Sequence, residues 1–525
     1  MDTDNSSPRG LWNEMGPGPR VLGGIALALT LAPAGCALPP GDQDPTPRLP
    51  NIVLIYADDM GYGDLAIQNP ESRIPTPNLD RLASEGMCFT DAHSSSGICT
   101  PSRYALLTGR YHWREFHGIV NVFEGSVIAP ERLTLPEMLK QQGYVTGCIG
   151  KWHLGWDWDA IRRPESPGTK LGASPEEFDW SLAIPDGPLD HGFDSYFGDD
   201  VPNFPPYTWF RDEHVLAAPT VAFAPDPVPA EGAAEGRAGP MVEGWKLDAV
   251  MPRLTEEVVD WIHGQSGGEA PFFLYFPWTS PHAPIVPTEE WKGRSAAGPY
   301  GDFVAQSDAT LGRVLEALEA AGVADDTLVI FTSDNGPEHY AYPRVRNTGH
   351  RSMGPLRGLK RDIWEGGHRI PFLARWPGVV AEGTVCEALV SQVDVMATIA
   401  TAVGFELPDD SAEDSHDLTP LLKGVLDTTI RDSLVHNTRK DHYAIRVGDW
   451  VLIDAKSGGI SRVPGWFAEA SGHVPNPHEA ALFNLREDLG QLENLFSENP
   501  DRVAQMRSLL QRIREEGHSA PRLAD

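Results

Sequence analysis

The chain is 525 residues long and carries 42 Lys and Arg against 74 Asp and Glu, a net charge of −32. That balance excludes nonspecific binding to nucleic acid or to an acidic membrane surface, and any anion site must be locally basic. Hydrophobic residues make up 41% of the chain, enough for a large core and about two domains, while 47 prolines and 52 glycines point to many loops on a globular frame.

The N-terminus reads as a targeting segment. Residues 21–34 (VLGGIALALTLAPA) form an apolar run of signal-peptide length behind Arg20, too short for a stable bilayer-spanning helix. Asp2, Asp4 and Glu14 are unusual ahead of such a run, whereas a start at Met15 gives the ordinary flank MGPGPR. Gly35-Cys36 closes the run as a bacterial lipobox does, with Pro33 where Leu is usual. Residues 1–36 are therefore expected to be a signal peptide or lipoprotein signal, and 37–49 a Pro-rich linker. The expectation is an exported protein, either periplasmic, lipid-anchored at the envelope through Cys36, or secreted. Beyond Cys36 only Cys88, Cys99, Cys148 and Cys386 remain, with no zinc-like spacing, so this is no disulfide scaffold.

Residues 51–56 (NIVLIY) read as a buried parallel strand that ends in Asp58-Asp59-Met60-Gly61. Thr76 and Pro77 predict a helix start, with Thr76 as its cap. Cys99-Thr100-Pro101-Ser102-Arg103 sets a thiol at a helix N-terminus, where free N–H groups attract anions. Arg103 lies one turn on and can reach the same anion or the side chain at 99. Pro136–Gln142 is a short helix, and Tyr144–Ile149 a strand that runs into Gly150-Lys151-Trp152-His153. Residues 156–250 are a long insertion whose Trp156, Trp158, Tyr207, Trp209 and Phe210 either stack on sugar faces or pack the loops. Phe272–Phe276 is a strand before Pro281-His282, residues 302–320 have helical apolar spacing, and Thr327–Thr332 is a strand before Ser333-Asp334-Asn335-Gly336. An acidic loop at 407–416 reads as solvated. A hairpin turning at Gly448-Asp449, a strand at 481–485 and an amphipathic helix at 498–516 predict a smaller antiparallel sheet covered by a helix, from about residue 430.

Strands alternating with helices predict an α/β fold with a mostly parallel sheet flanked by helices. Ligands bind beyond the carboxyl ends of such strands, and polar clusters follow four of them, at 58–59, 151–153, 282 and 334–335. Asp58, Asp59, Asp334 and Asn335 offer hard oxygens that suit Ca2+, or Mg2+, rather than zinc. Residues 344–369 hold seven Lys or Arg against Asp362 and Glu365, a basic island of net +5 that could line an anion pocket with Lys360 and its neighbouring arginines. Lys151, His153 and His282 add proton-transfer groups.

These motifs together resemble the type I, formylglycine-dependent sulfatases on the alkaline-phosphatase superfamily fold. The resemblance rests on Cys99–Arg103 with Leu107–Arg110, on Gly150–Gly155, Asp58–Gly61 and His191–Asp194, and on Pro281-His282, Thr332–Gly336 and Gly358–Lys360. Val447–Trp450 and Leu482–Leu485 look like the family's C-terminal part, so the likeness spans about 50–515 in family order. It implies a catalytic domain at 50–429 and a C-terminal α+β subdomain at 430–525. It implies that a formylglycine-generating enzyme converts Cys99 to Cα-formylglycine, whose hydrate attacks the sulfur of a sulfated small molecule or glycan. Asp58, Asp59, Asp334, Asn335 and residue 99 would then hold one Ca2+ (or Mg2+). Lys151, Lys360 and Arg103 would neutralise the sulfate oxygens, His282 or Lys360 would protonate the leaving alcohol, and His153 would drive sulfate release. The alternatives are a phosphonate monoester or phosphodiester hydrolase of the same superfamily, or an unconverted anion-binding homologue.

Overall fold

The strand Asn51–Asp58 (β1) is buried at every position, and its side chains divide between two cores. Ile52, Leu54 and Tyr56 face one side, Val53, Ile55 and Ala57 the other, the period-two alternation of a strand covered on both faces. In this computed structural model, which describes residues 48–168, 170–228 and 230–521, β1 is the middle of a ten-stranded sheet. The other strands are Met87–Phe89 (β2), Val145–Lys151 (β3), Ser195–Asp200 (β4), Phe210–Arg211 (β5), His214–Val215 (β6), Phe272–Pro281 (β7), Thr327–Ser333 (β8), Phe372–Arg375 (β9) and Thr384–Cys386 (β10). Their order is β10-β2-β9-β8-β1-β7-β3-β4-β5-β6. The central run β8-β1-β7-β3-β4 is parallel throughout, so its carboxyl ends share one edge. Antiparallel strands stand at both flanks, and each outermost strand is three residues or fewer.

Helices cover both faces. Cys99–Thr108 (α2) and Leu135–Gln141 (α3) pack beside Leu54 and Tyr56, whereas Pro77–Ser84 (α1), Val250–Gln265 (α4) and Gly298–Ala320 (α5) pack beside Val53 and Ile55. Thr76 precedes α1 but does not cap it; its hydroxyl accepts from the Ala66 amide instead. Ser433–Arg439 (β11), His442–Val447 (β12), Trp450–Ile453 (β13) and Ala481–Asn484 (β14) form the antiparallel C-terminal sheet. Val503, Met506, Leu510 and Ile513 of the helix Pro500–Glu516 (α6) cover one face, and Ile363 and Trp364 pack on the other. From Leu49 onward the chain is one compact unit. The apolar segment 21–34, Cys36 and nearly all of the linker lie outside the described residues. Among the described residues no helix is long and apolar enough to cross a membrane. Cys88, Cys99, Cys148 and Cys386 are all free and buried.

Packing corrects one expectation in part and decides between the two readings of the insertion's aromatics. The acidic loop is solvated only in its first half: Pro408, Asp409 and Asp410 are exposed, whereas Ser411 to Ser415 are buried. Asp414 accepts from Arg114 at 2.7 and 2.8 Å and from the Tyr111 amide at 2.8 Å, and Glu413 pairs with Arg110 and Arg132. The cations that make burial tolerable come from far upstream, Arg114 from 300 residues and Arg132 from 281. Trp156, Trp158, Tyr207 and Phe210 are buried, with Trp156 stacked on Phe210 and Tyr207 against Phe223, and the half-buried Trp209 stacks on Phe197 and meets Trp245, so these side chains pack the loops.

His112, fully buried just after α2, donates from Nε2 to Asn437, and burial pushes its imidazole down to about 3. The unfolded chain therefore takes up this proton first as pH falls. Its stabilising contribution is complete above about 6.5 and is lost from there towards 3, at about 1.4 kcal/mol per pH unit. His112→Gln keeps the donor but not the titration. The stability gap between wild type and variant, from urea unfolding, should shift by that slope between about pH 6.5 and 4.5. A pH-independent gap would refute the assignment.

Candidate active site

Because β1, β3, β7 and β8 run parallel, Asp58, Lys151, His282 and Asp334 emerge on the same edge. Two close approaches fix that edge. Gly150 has φ +131° and lies where a Cβ would sit 1.9 Å from the Pro277 carbonyl, and a Cβ on Gly336 would sit equally close to the Gly366 carbonyl. Asp59 and His153 hold left-handed backbone angles, φ 67° and 57°, which cost non-glycine residues about 1–3 kcal/mol and persist where packing enforces them.

Asp58, Asp59, Cys99 and His282 bring one ligand atom each within 4.8 Å of one another. Lys151 Nζ donates to Asp58 Oδ2 and Lys360 Nζ to Asp59 Oδ1, both at 2.6 Å. Asn335 Nδ2 donates to Asp59 Oδ1 at 2.7 Å, and the Asp59 amide donates to Asp334 Oδ1 at 3.0 Å. Arg103 lies one turn on from residue 99 in α2, with its Nε buried and without a partner. It is fully buried beneath the carboxylates, donating from Nη2 to Asp334 Oδ2 at 2.9 Å and from Nη1 to the Lys151 carbonyl at 3.1 Å. Lys360 arrives by a long-range dock: the Arg361 amide donates to the Gly97 carbonyl at 2.6 Å, seating its loop on the segment that leads to Cys99.

Asp58 Oδ1, Asp59 Oδ2 and Asn335 Oδ1 are buried with no hydrogen-bond partner. Three orphaned hard oxygens in one cluster fit a Ca2+ or Mg2+ ion, which would satisfy them together. Burial opposes ionisation of Asp58, but Lys151, His282, Arg103 and Lys360 outweigh it and hold the carboxyl well below its usual range. Burial and then Asp58 push Asp334 up to about 7; a divalent cation beside it would reverse that.

Burial likewise pushes the Cys99 thiol up to about 12, against the pull of Lys151 and Lys360, so the encoded side chain is a protonated thiol and not a nucleophile. Burial, then Lys151 and Arg103, keep His153 neutral. Its Nε2 faces the Val120 carbonyl at 3.0 Å and must carry the hydrogen, which leaves Nδ1 as a buried lone pair without a partner. Burial and Lys360 also lower His282, whose Nδ1 donates to the Ala283 carbonyl and whose Nε2 lies 3.7 Å from Asp59 Oδ2.

A pocket of about 480 Å³ opens over this floor, with His153, His282 and Lys360 in its lining. Of the basic island only Lys360 and Arg361 border it; Arg344 pairs with Glu231, and Arg369 with Asp91 and Glu365. Sequence reasoning missed the upper walls: Asn203, Phe204, Glu235 and Arg237 from the insertion, Glu338 and His339 after Asn335, and Thr438 and Arg439 at the end of β11. Arg237 lies 3.7 Å over the Phe204 ring. The insertion carried a signal in its aromatics, though Phe204 was not among those singled out; β11 carried none.

A family model described as Sulfatase matches residues 50–405. A Bacteroides thetaiotaomicron N-acetylgalactosamine-6-O-sulfatase is 32% identical over 503 residues, covering 90% of this chain and 94% of its own. The human N-acetylgalactosamine-6-sulfatase is 36% identical over 396 residues, 72% of this chain and 67% of its own. A solved protein from work on the metabolism of multiple glycosaminoglycans by Bacteroides thetaiotaomicron superposes with a TM-score of 0.75 at 28% identity, covering 89% of this chain and all of the other. With the oxygen cluster, the buried Cys99 and the cationic pocket floor already in place, these likenesses make the chain a member of the sulfatase family, a sulfuric ester hydrolase.

Proposed function

We propose that the enzyme removes sulfate from a sulfated glycan, with 6-O-sulfated N-acetylgalactosamine as its first candidate residue. Two curated relatives at 32% and 36% identity carry that activity in their names. The observation that carries the reading is the pocket: His153, His282 and Lys360 lie in its floor, and Arg237, Arg439 and Asn203 offer polar wall contacts to a sugar.

Asp58, Asp59, Asp334 and Asn335 would hold Ca2+, with Mg2+ as the substitute, and the ion would supply charge stabilisation to sulfate oxygens. Conversion of Cys99 to formylglycine would supply a hydrated aldehyde in place of the protonated thiol. The chain's own groups do the rest. Lys151 and Lys360 each spend one ammonium hydrogen on Asp58 or Asp59, and their remaining hydrogens would meet the oxygens of an ester sulfate. His153 Nδ1 accepts a proton from residue 99, its tautomer set by Val120. His282 Nε2 or Lys360 returns one to the leaving alcohol. Arg103 holds Asp334 and the end of β3 in register. All ten residues of α2 are buried, so a formylglycine-generating enzyme must meet Cys99 before the chain folds.

Export, as a periplasmic or Cys36-anchored protein, is part of this proposal, supported by the apolar run at 21–34. Mass spectrometry of the mature N-terminus and of the peptide spanning Gly97–Arg103 tests both processing steps. The activity is tested by comparing kcat/KM on 6-sulfated and 4-sulfated N-acetylgalactosamine, an aryl sulfate and an aryl phosphate diester, before and after chelation and Ca2+ return. The 6-sulfated sugar should lead, chelation should remove at least ~90% of the rate, and Ca2+ should restore it. A preference for the phosphate diester, or activity indifferent to chelation, would sink the reading.

A further inference from the structure

Behind the loop that leads to Cys99, three histidines meet in the interior. His93 ends the short strand Ala92–His93, His368 ends the helical turn Glu365–His368, and His436 sits in β11; all three are at most 1% exposed. They come from three separate segments, one of them in the C-terminal sheet. Each points one ring nitrogen at an acceptor. His93 Nε2 lies 2.8 Å from Asp91 Oδ1, His368 Nε2 3.3 Å from the Ile363 carbonyl and His436 Nδ1 3.2 Å from the Ser94 carbonyl. Carbonyls and carboxylates only accept, so each of those nitrogens carries the hydrogen.

The inward nitrogens are then lone pairs. His93 Nδ1 and His368 Nδ1 face each other at 3.1 Å, a separation that two lone pairs do not hold unaided. His436 Nε2 is buried with no partner. The three rings offer ligand atoms within 4.8 Å of one another. Beside them the buried Glu365 is held by Arg369 at 3.5 Å and Arg446 at 3.7 Å, and it belongs to a separate acidic group with Asp91 and His93. Outer N–H groups tied to a carboxylate or carbonyl, with lone pairs turned inward, are how metal-binding histidines are oriented.

We propose that His93, His368 and His436 form a second metal site, distinct from the oxygen cluster, for a borderline-soft divalent transition ion, Zn2+ foremost. Imidazole ligands suit zinc, whereas the all-oxygen donors of the other site suit Ca2+. The three imidazoles are the protein's ligands, and Glu365, ion-paired with Arg369 and Arg446, supplies negative charge beside them. His368 and His436 stack with centroids 3.5 Å apart, and in-plane lone pairs of parallel rings do not converge, so one ring tilts on binding. The ion ties the C-terminal sheet to the segments on either side of the catalytic loop and acts structurally. A shared proton between His93 and His368 is the competing explanation for their contact.

The test is metal content of the full-length protein, loaded with Zn2+, dialysed and measured by inductively coupled plasma mass spectrometry. About one zinc per chain is expected in wild type and in Asp59→Asn, and none in His93→Gln or His436→Gln that remain folded by near-UV circular dichroism. Should those variants not fold, Co2+ loaded into Cys99→Ala decides. Intense visible ligand-field bands of a tetrahedral nitrogen site support the proposal, and only weak octahedral bands overturn it. Folded wild type that retains no zinc, or histidine variants that retain it all, likewise overturn it and leave the shared proton.

Discussion

Cys99→Ala is expected to cut turnover of every sulfate ester by roughly 10⁴-fold or more, with little change in folding. The side chain is small, 1% exposed and apolar in its encoded state, so alanine leaves only a minor void. Cys99→Ser separates the chemistry further. Serine offers one hydroxyl where a hydrated aldehyde offers two, so it can accept sulfate but has no second hydroxyl with which to expel it. A single stoichiometric burst followed by arrest is the expected time course, and mass spectrometry should find the sulfate retained on the peptide that spans position 99. Multiple turnover by Cys99→Ser near the wild-type rate would refute the requirement for conversion.

Arg103→Met should be the most destabilising single change near the site. The guanidinium is wholly buried, 2.9 Å from Asp334 and 3.7 Å from Asp58, and also holds the Lys151 carbonyl. Methionine fills most of its volume but strands Asp334 without its cation. Breaking a buried pair on one side costs about 3–5 kcal/mol. Urea unfolding in chelator should show that loss with an unchanged slope. Added Ca2+ should recover part of it, because the ion neutralises the same carboxylates. A loss under about 1 kcal/mol in chelator would show that the carboxylates do not depend on Arg103.

The fold was legible where the chain writes its rules locally. β1, β3, β7 and β8 are apolar β-rich runs, each ending in a polar cluster, and parallel pairing gathers those clusters with no further information. What could not be read were partnerships across hundreds of residues. Asp414 looked like a solvent residue because its arginine is 300 positions away, and Arg103's carboxylate partner Asp334 is 231 positions away. β11 escaped notice because Ser433–Arg439 mixes His, Asn and Thr with only two apolar side chains; its neighbours, not its own pattern, make it a strand. That strand brings Thr438 and Arg439 to the pocket and His436 to the histidine cluster, so one unread strand hid parts of two sites.

The short outer strands of the large sheet bear on colloidal behaviour. A ten-stranded sheet would present long rows of unpaired N–H and C=O groups if its flanks matched its centre. Here β10 offers three residues and β6 only two, so a second molecule finds almost no backbone to template on. The chain's aggregation hazard lies earlier, in the nascent chain, while the eight buried residues of β1 wait for β7 and β8 to be synthesised more than two hundred positions later.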